Sequence, residues 1–259
     1  MSAEPMDQKR FEAARRERAR LASDVRQRSA LRLHGLLRSS IRHGLFEFRE
    51  HLHEEGLIEE YGTSRNAVRQ ALSLLVEEGL VSRGPRNGTV VVGQIATLSL
   101  DDRRGEAADE LSSYRSQLVD DARVPTTPLI RNKLDITDDR VRMSEWIYFR
   151  QNVAYCVMTS YWVGEDNESS PLIVENMDAG FDKLFEKHYG QKLARVDYSV
   201  ESVRCDEQTG RALRVPVGTS LLFKERVLIA EDGHPREYSH THYVANQIAL
   251  TISNTITHD

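Results

Sequence analysis

Residues 53–92, HEEGLIEEYGTSRNAVRQALSLLVEEGLVSRGPRNGTVVV, constrain the fold more than any other stretch. Residues 53–61 predict a short helix with Leu57, Ile58 and Tyr61 inward. Gly62 ends it, because glycine tolerates the positive φ found just past a helix end. Thr63 or Ser64 can then cap the next helix by accepting from its free N–H groups. Val68, Ala71, Leu72, Leu75 and Val76 follow the i, i+3, i+4, i+7, i+8 spacing of an amphipathic helix running to about Glu78. Gly79 stops that helix. Leu80–Ser82 and Thr89–Val92 predict two short strands around the turn Gly84-Pro85-Arg86-Asn87-Gly88. Upstream, Leu33, Leu36, Leu37 and Ile41 put a further helix over residues 31–43.

Helix, short helix, tight turn, helix and small hairpin is the order of a winged helix-turn-helix, here spanning residues 31–93. Arg65, Asn66 and Arg69 point away from the apolar stripe, and Arg65 and Arg69, four apart, share one face. A helix of this kind inserts its first turn into the DNA major groove, where Arg pairs with guanine and Asn with adenine. Arg83, Arg86 and Asn87 fall on the wing, suited to phosphate or minor-groove contact. This reading requires Arg65 and Arg69 to be presented outward, neither buried nor held by carboxylates of the same chain.

Charge is divided in the same sense. Residues 1–93 carry 16 Lys and Arg against 13 Asp and Glu, residues 94–259 carry 19 against 27, and the net charge is −5. Lys9, Arg10, Arg15, Arg16, Arg18, Arg20, Arg26, Arg28 and Arg32 fall within the first 32 residues, and residues 1–30 read as a basic arm with too few apolar positions to bury a face. It reads either as a solvated tail or as an arm that tracks phosphates. The apolar residues suffice for cores, which excludes disorder of the whole chain. No apolar run is long enough for a membrane helix. The first residues lack the apolar segment of a secretion signal, and Cys156 and Cys205 have no metal-ligand spacing, so the expected setting is the reducing cytoplasm.

Glu54, Leu57, the run Gly62-Thr63-Ser64-Arg65-Asn66-Ala67-Val68-Arg69-Gln70-Ala71-Leu72, Leu75, Glu78-Gly79-Leu80-Val81 and Asn87-Gly88-Thr89-Val90-Val91 resemble the DNA-binding domain of the GntR family of bacterial transcription regulators. The resemblance implies DNA contacts from Ser64, Arg65 and Arg69, and a close backbone approach at Gly88 with Thr89 beside it. Three positions depart from the pattern: His51-Leu52-His53 replaces Leu-Pro-Ser, Glu55 stands where an Arg is frequent, and Ala67 stands where a Thr usually holds a phosphate. Fewer phosphate contacts imply weaker binding with a flatter salt dependence, which the basic arm could offset.

The second half is strand-rich. Residues 94–107 are expected to be a linker, and residues 108–259 a second domain. Val141–Arg150 and Val153–Trp162 alternate around Gln151-Asn152 as a hairpin. Phe181–Tyr189 has helical spacing, Ala194–Cys205 alternates, and Asp206–Leu213 is a short helix with a favourable first-turn acid. Leu221–Ala230 and Arg236–Ala245 form two further strands, so the fold class is α+β, with an antiparallel sheet bearing helices. Asp206-Glu207, Ala212-Leu213-Arg214-Val215, Gly218-Thr219-Ser220-Leu221-Leu222, Arg226, Asp232-Gly233-His234-Pro235, Glu237-Tyr238 and Tyr243 resemble the UTRA effector domain of the HutC subfamily, a fold shared with chorismate lyase. That resemblance implies a homodimer on a palindromic operator, with a small molecule bound by the sheet domain.

Many relatives carry Glu-Arg-x-Arg on the first long strand, and the stretch here is Glu145-Trp146-Ile147-Tyr148. Two aromatic rings in place of two guanidiniums remove a bidentate anion clamp and supply flat apolar surface with polar tips. Met158 occupies a further acidic ligand position, while Arg226, Glu237 and Tyr243 match the pattern. The candidate effector set is therefore Glu145, Trp146, Tyr148, Met158, Arg226, Glu237 and Tyr243, and the expected effector is larger and more apolar than a sugar phosphate. Trp146 and Tyr148 are equally readable as core residues. His234, His240 and His242 come with no pinned carboxylate, so neither metal nor cofactor is expected. No catalytic motif is present, and the expected function is an effector-controlled transcriptional repressor, not an enzyme. The alternatives are a lyase-like catalyst tethered to DNA and a dimeric DNA-binding protein without a ligand.

Overall fold

The computed structural model describes residues 30–85, 87–100, 114–150, 152–163 and 181–252. The chain divides into two units, Met1–Ala96 and Thr97–Asp259. The basic arm, apart from Ala30, lies outside the described residues.

The first unit contains α1 (Ala30–Arg42), α2 (Glu54–Tyr61), α3 (Arg65–Glu77), β1 (Val81–Gly84) and β2 (Gly88–Val91). Helical spacing becomes packing: α1 buries Leu33, Leu37 and Ile41, α2 buries Leu57, and α3 buries Ala67, Val68, Ala71, Leu72 and Leu75. Each fully buried Leu or Val contributes about 1.5–3 kcal/mol. Leu36 and Val76, also at stripe positions, stay exposed. Gly62 takes the left-handed conformation at φ 59° that closes α2. Ser64, not Thr63, caps α3, its side chain accepting from Ala67 N at 3.2 Å. Thr63 is buried. Glu78, just past α3, accepts from Arg38 Nη1 of α1 at 2.6 Å and lies 3.1 Å from His34 Nε2.

The wing strands pair antiparallel with Arg83 opposite Thr89. The chain before α2 fastens onto them, as Arg49 N donates to Val91 O and Leu52 N to Thr89 O, both at 2.8 Å. The wing is thus fastened to the segment that leads into α2.

In the second unit, β4 (Tyr114–Pro125), β5 (Arg140–Arg150), β6 (Val153–Trp162), β7 (Leu193–Arg204), β8 (Ser220–Ala230) and β9 (Pro235–Val244) form one antiparallel sheet in the order β4-β5-β6-β9-β8-β7. The α+β expectation is met. Helices α4 (Pro128–Leu134) and α6 (Glu207–Leu213) share one face. There α4 packs Ile130 and Leu134 on Val141, Val227 and Tyr238, and α6 packs Leu213 with Val157 and Leu221. Helix α5 (Phe181–Tyr189) packs Phe185 on Leu228 and Ala230, toward the other face.

The expected linker over 94–107 needs correction. Ala96–Ser99 is a strand, β3, paired with β10 (Ile248–Thr251), and Leu100 N donates to Thr251 O at 2.7 Å. A four-residue strand whose partner lies some 150 positions away leaves no local signal. Residues 101–107 lie outside the described residues. None of the described helices is long and apolar enough to cross a membrane.

Candidate nucleic-acid interface and effector face

The N-terminal turn of α3 displays Arg65, Asn66 and Arg69, all exposed. The side chains of Arg65 and Arg69 are 58% and 57% accessible, so outward presentation holds. Freedom from carboxylates of the same chain does not. Arg65 Nη2 donates to Glu55 Oε1 at 3.3 Å and Arg69 Nε to Glu54 Oε2 at 3.0 Å, both acids being on α2. Arg83 of β1 donates through Nη2 to Glu54 Oε1 at 2.5 Å. Exposed pairs of this kind hold by about 0.2–1 kcal/mol, less than the ~1–3 kcal/mol of discrimination that a bidentate base contact supplies. The guanidiniums are therefore screened but available.

Ser64 is exposed while its oxygen caps the helix. Asn87 is exposed, and Gly88 sits at φ 62°, a conformation that disfavours any side-chain-bearing residue there. Thr89 must be removed from the expected interface. It is buried, because residues alternate along β2 and position 89 shares the inward side with Val91. Arg86 lies outside the described residues.

In the sheet unit, strand registers collect six of the seven expected effector residues on one face. One rung runs Trp146–Met158–Thr241–Lys224, the next Tyr148–Cys156–Tyr243–Leu222, and the next Ser144–Ser160–Ser239–Arg226. Trp162 and Glu237 pair beyond them. Arg226 Nη2 donates to Glu237 Oε1 at 3.0 Å, Arg226 Nε to Ser239 Oγ at 3.2 Å, and Ser160 Oγ to Glu237 Oε1 at 3.3 Å. Trp146 Nε1 donates to Ser144 Oγ at 3.2 Å. Lys224 Nζ lies 5.7 Å from the ring centres of both Tyr198 and Tyr243. Spacing did not single out Ser144, Ser160, Ser239, Thr241, Lys224 or Trp162. Continuing the same period-2 count along each strand would have found them.

Residues 30–91 match the family described as bacterial regulatory proteins, gntR family, and residues 111–249 match the UTRA domain. The chain belongs to the GntR family and carries a UTRA domain. GntR-family regulators with a UTRA domain are transcription regulators that bind DNA and are controlled by an effector. The chain is similar to the solved structure of PhnF from Mycobacterium smegmatis, at 18% identity over 87% of this chain and 100% of that one, with a TM-score of 0.55. It is also similar to YydK from Bacillus subtilis subsp. subtilis strain 168, described as a possible transcriptional regulator, at 16% identity over 87% and 99% of the two chains and a TM-score of 0.50. At these identities the two structures support the fold alone. None of the curated proteins matches the chain.

Glu145 does not belong with the other effector candidates of this GntR-family regulator. Its rung, Glu145–Thr159–His240–Glu225–Ser199, faces the side covered by α4 and α6. An odd-numbered neighbour of Trp146 on a strand necessarily points the other way. There Glu145 lines a cleft of about 170 Å³ with Thr159, His240, His242 and Asp206. Burial pushes the Glu145 carboxyl up, opposed by the hydroxyl of Thr159 and reinforced by Asp120. Burial, aided by the neighbouring His242, pushes His240 down to about 4. His242 is also lowered by burial, against the pull of Asp206. Both imidazoles pack on Phe223, with ring centres at 5.6 and 4.8 Å. Among the described residues, no three His, Cys, Asp or Glu side chains gather as a metal site. The histidine pair is an aromatic-packed feature of the sheet.

Proposed function

We propose that this regulator is a cytoplasmic one-component repressor, acting as a homodimer on a palindromic operator. Ser64, Arg65, Asn66 and Arg69 would read the major groove, with Arg83, Arg86, Asn87 and Gly88 on the wing against phosphates or the minor groove. Two-fold symmetry of the protein would be mirrored in the operator half-sites. The effector would bind on the sheet face bearing Trp146, Tyr148, Met158, Arg226, Glu237 and Tyr243. It would act by binding the DNA-competent and DNA-incompetent dimers with different affinity.

The convergence of those six side chains on one face carries this reading. Rings at 146 and 148 and a thioether at 158 offer apolar contact. The Arg226 guanidinium on that face is engaged by Glu237 and Ser239. The effector class we infer is therefore a molecule with substantial apolar surface and no phosphate, bound without turnover.

The test is calorimetric titration of the full chain with glucose 6-phosphate and with a panel of apolar metabolites, read beside selection of operator duplexes. Binding of an apolar compound that is lost in W146A supports the reading. Tight binding of the sugar phosphate refutes the effector class, and failure to enrich any duplex refutes DNA recognition.

A further inference from the structure

Glu54 stands in the first turn of α2 and divides its two oxygens between two DNA-facing elements. Oε2 accepts from Arg69 Nε on the recognition helix at 3.0 Å, and Oε1 accepts from Arg83 Nη2 on the wing at 2.5 Å. Glu54 is 26% accessible, against 57% for the side chain of Arg69. The carboxylate is thus the more sheltered partner, and the guanidinium reaches outward from it.

The attachment point matters chemically. A bond through Nε engages one edge of the guanidinium and restricts its rotation. The end edge, made by the two terminal amino groups, keeps the fork geometry that meets two acceptors of guanine at once. A phosphate needs no such alignment, since a lone anion can approach a cation from many directions. It would also meet the negative charge of Glu54 directly behind the guanidinium. Arg83, held by the other oxygen, is subject to the same repulsion. An arginine already neutralised by a carboxylate also displaces less of the counterion atmosphere of DNA, so it contributes less to salt-dependent, sequence-independent binding.

We propose that Glu54 is a specificity-determining residue of the DNA interface. It aims the Arg69 fork at a base edge and suppresses phosphate-only binding by Arg69 and Arg83. This rests on the DNA-recognition reading above. Glu54 itself makes no contact with a base. It acts by positioning and by charge.

The experiment first selects duplexes from a randomised pool with the full wild-type chain. Affinity and its salt dependence are then measured on a selected duplex and on its shuffled counterpart for wild type, E54Q and E60Q. Glu60 is exposed on the same helix six residues on, outside the ion-pair cluster, and controls for net charge. E54Q is expected to bind the shuffled duplex about three- to tenfold more tightly, with a salt slope steeper by about one. Its preference for the selected duplex should fall by a similar factor, whereas E60Q should keep the wild-type preference. An unchanged preference in E54Q, or an equal loss in E60Q, overturns the proposal. If no duplex is enriched, the DNA-recognition reading fails first and takes this one with it. Equal melting temperatures for the three proteins confirm that the comparison is between folded molecules.

Discussion

Arg226 and Glu237, on the adjacent strands β8 and β9, meet at 3.0 Å with the arginine side chain 9% accessible and the glutamate fully buried. Burying two charges costs several kcal/mol per ion, which mutual attraction and hydrogen bonds must offset. Ser160 and Ser239 supply two of those bonds. E237A removes the carboxylate that accepts from the buried Arg226 guanidinium, and its expected cost is about 3–5 kcal/mol in urea unfolding. The double variant R226M/E237L should recover most of that loss. A full loss retained in the double variant would mean that the pair is held for packing and not for charge balance.

His240 makes stability depend on pH. Its ordinary value of 6.5 is pushed down to about 4 in the folded chain. The unfolded chain therefore takes up a proton at His240 between those two values while the folded chain does not. The stabilisation is complete above about pH 6.5 and is lost as pH falls toward 4. The loss is of the order of 3 kcal/mol. H240F keeps a ring against Phe223 and should flatten this part of the profile. Urea midpoints for both proteins across that pH range decide it, and parallel profiles would count against His240.

Ser64 caps α3, and substitutions can separate that role from its proposed contact with DNA. S64A should cost about 1 kcal/mol of stability through loss of the cap on α3. S64D keeps a capping oxygen and adds charge where the helix dipole favours it, so its melting temperature should stay near wild type. In the proposed interface its negative charge would face DNA, so duplex affinity should drop about tenfold or more. Normal duplex affinity in S64D would place residue 64 away from the nucleic acid.

Deleting residues 1–28 removes eight of the cationic side chains in the arm. If the arm tracks phosphates, duplex binding should weaken and its salt slope should fall by about 0.9 for each lost contact. Anisotropy titrations at several salt concentrations measure both quantities. Unchanged affinity and slope would make the arm a solvated tail.

The first unit was legible because its signals are local. Gly62, Ser64 and Gly79 punctuate helices whose apolar spacing survives into packing, and Gly84 to Gly88 mark the wing turn. In the second unit β5, β6, β7, β8 and β9 were legible from alternation, α5 from its apolar spacing and α6 from its first-turn acid. Strand β4 was missed because Arg115 and residues 117–121 are all exposed, so no alternation is imposed on the sequence. Helix α4, with seven residues, is too short to show a period, and its only local signs were the Thr127 cap and Pro128, as Asp206 was for the equally short α6. Alternation at Trp146 and Tyr148 already separated Glu145 from them, yet motif likeness drew all three into one set. The carboxylates facing Arg65 and Arg69 had a visible sign in Glu54 and Glu55, but which arginine each would reach depends on the angle between α2 and α3.

The pairing of β3 with β10 has a practical corollary. A fragment trimmed to begin at residue 108 would orphan the ribbon Ile248–Thr251, leaving its backbone donors and acceptors available to any passing strand. Such a truncated piece should self-associate where one retaining residues 96–99 stays dispersed. The choice of first residue thus governs whether the isolated sheet half can be handled in solution.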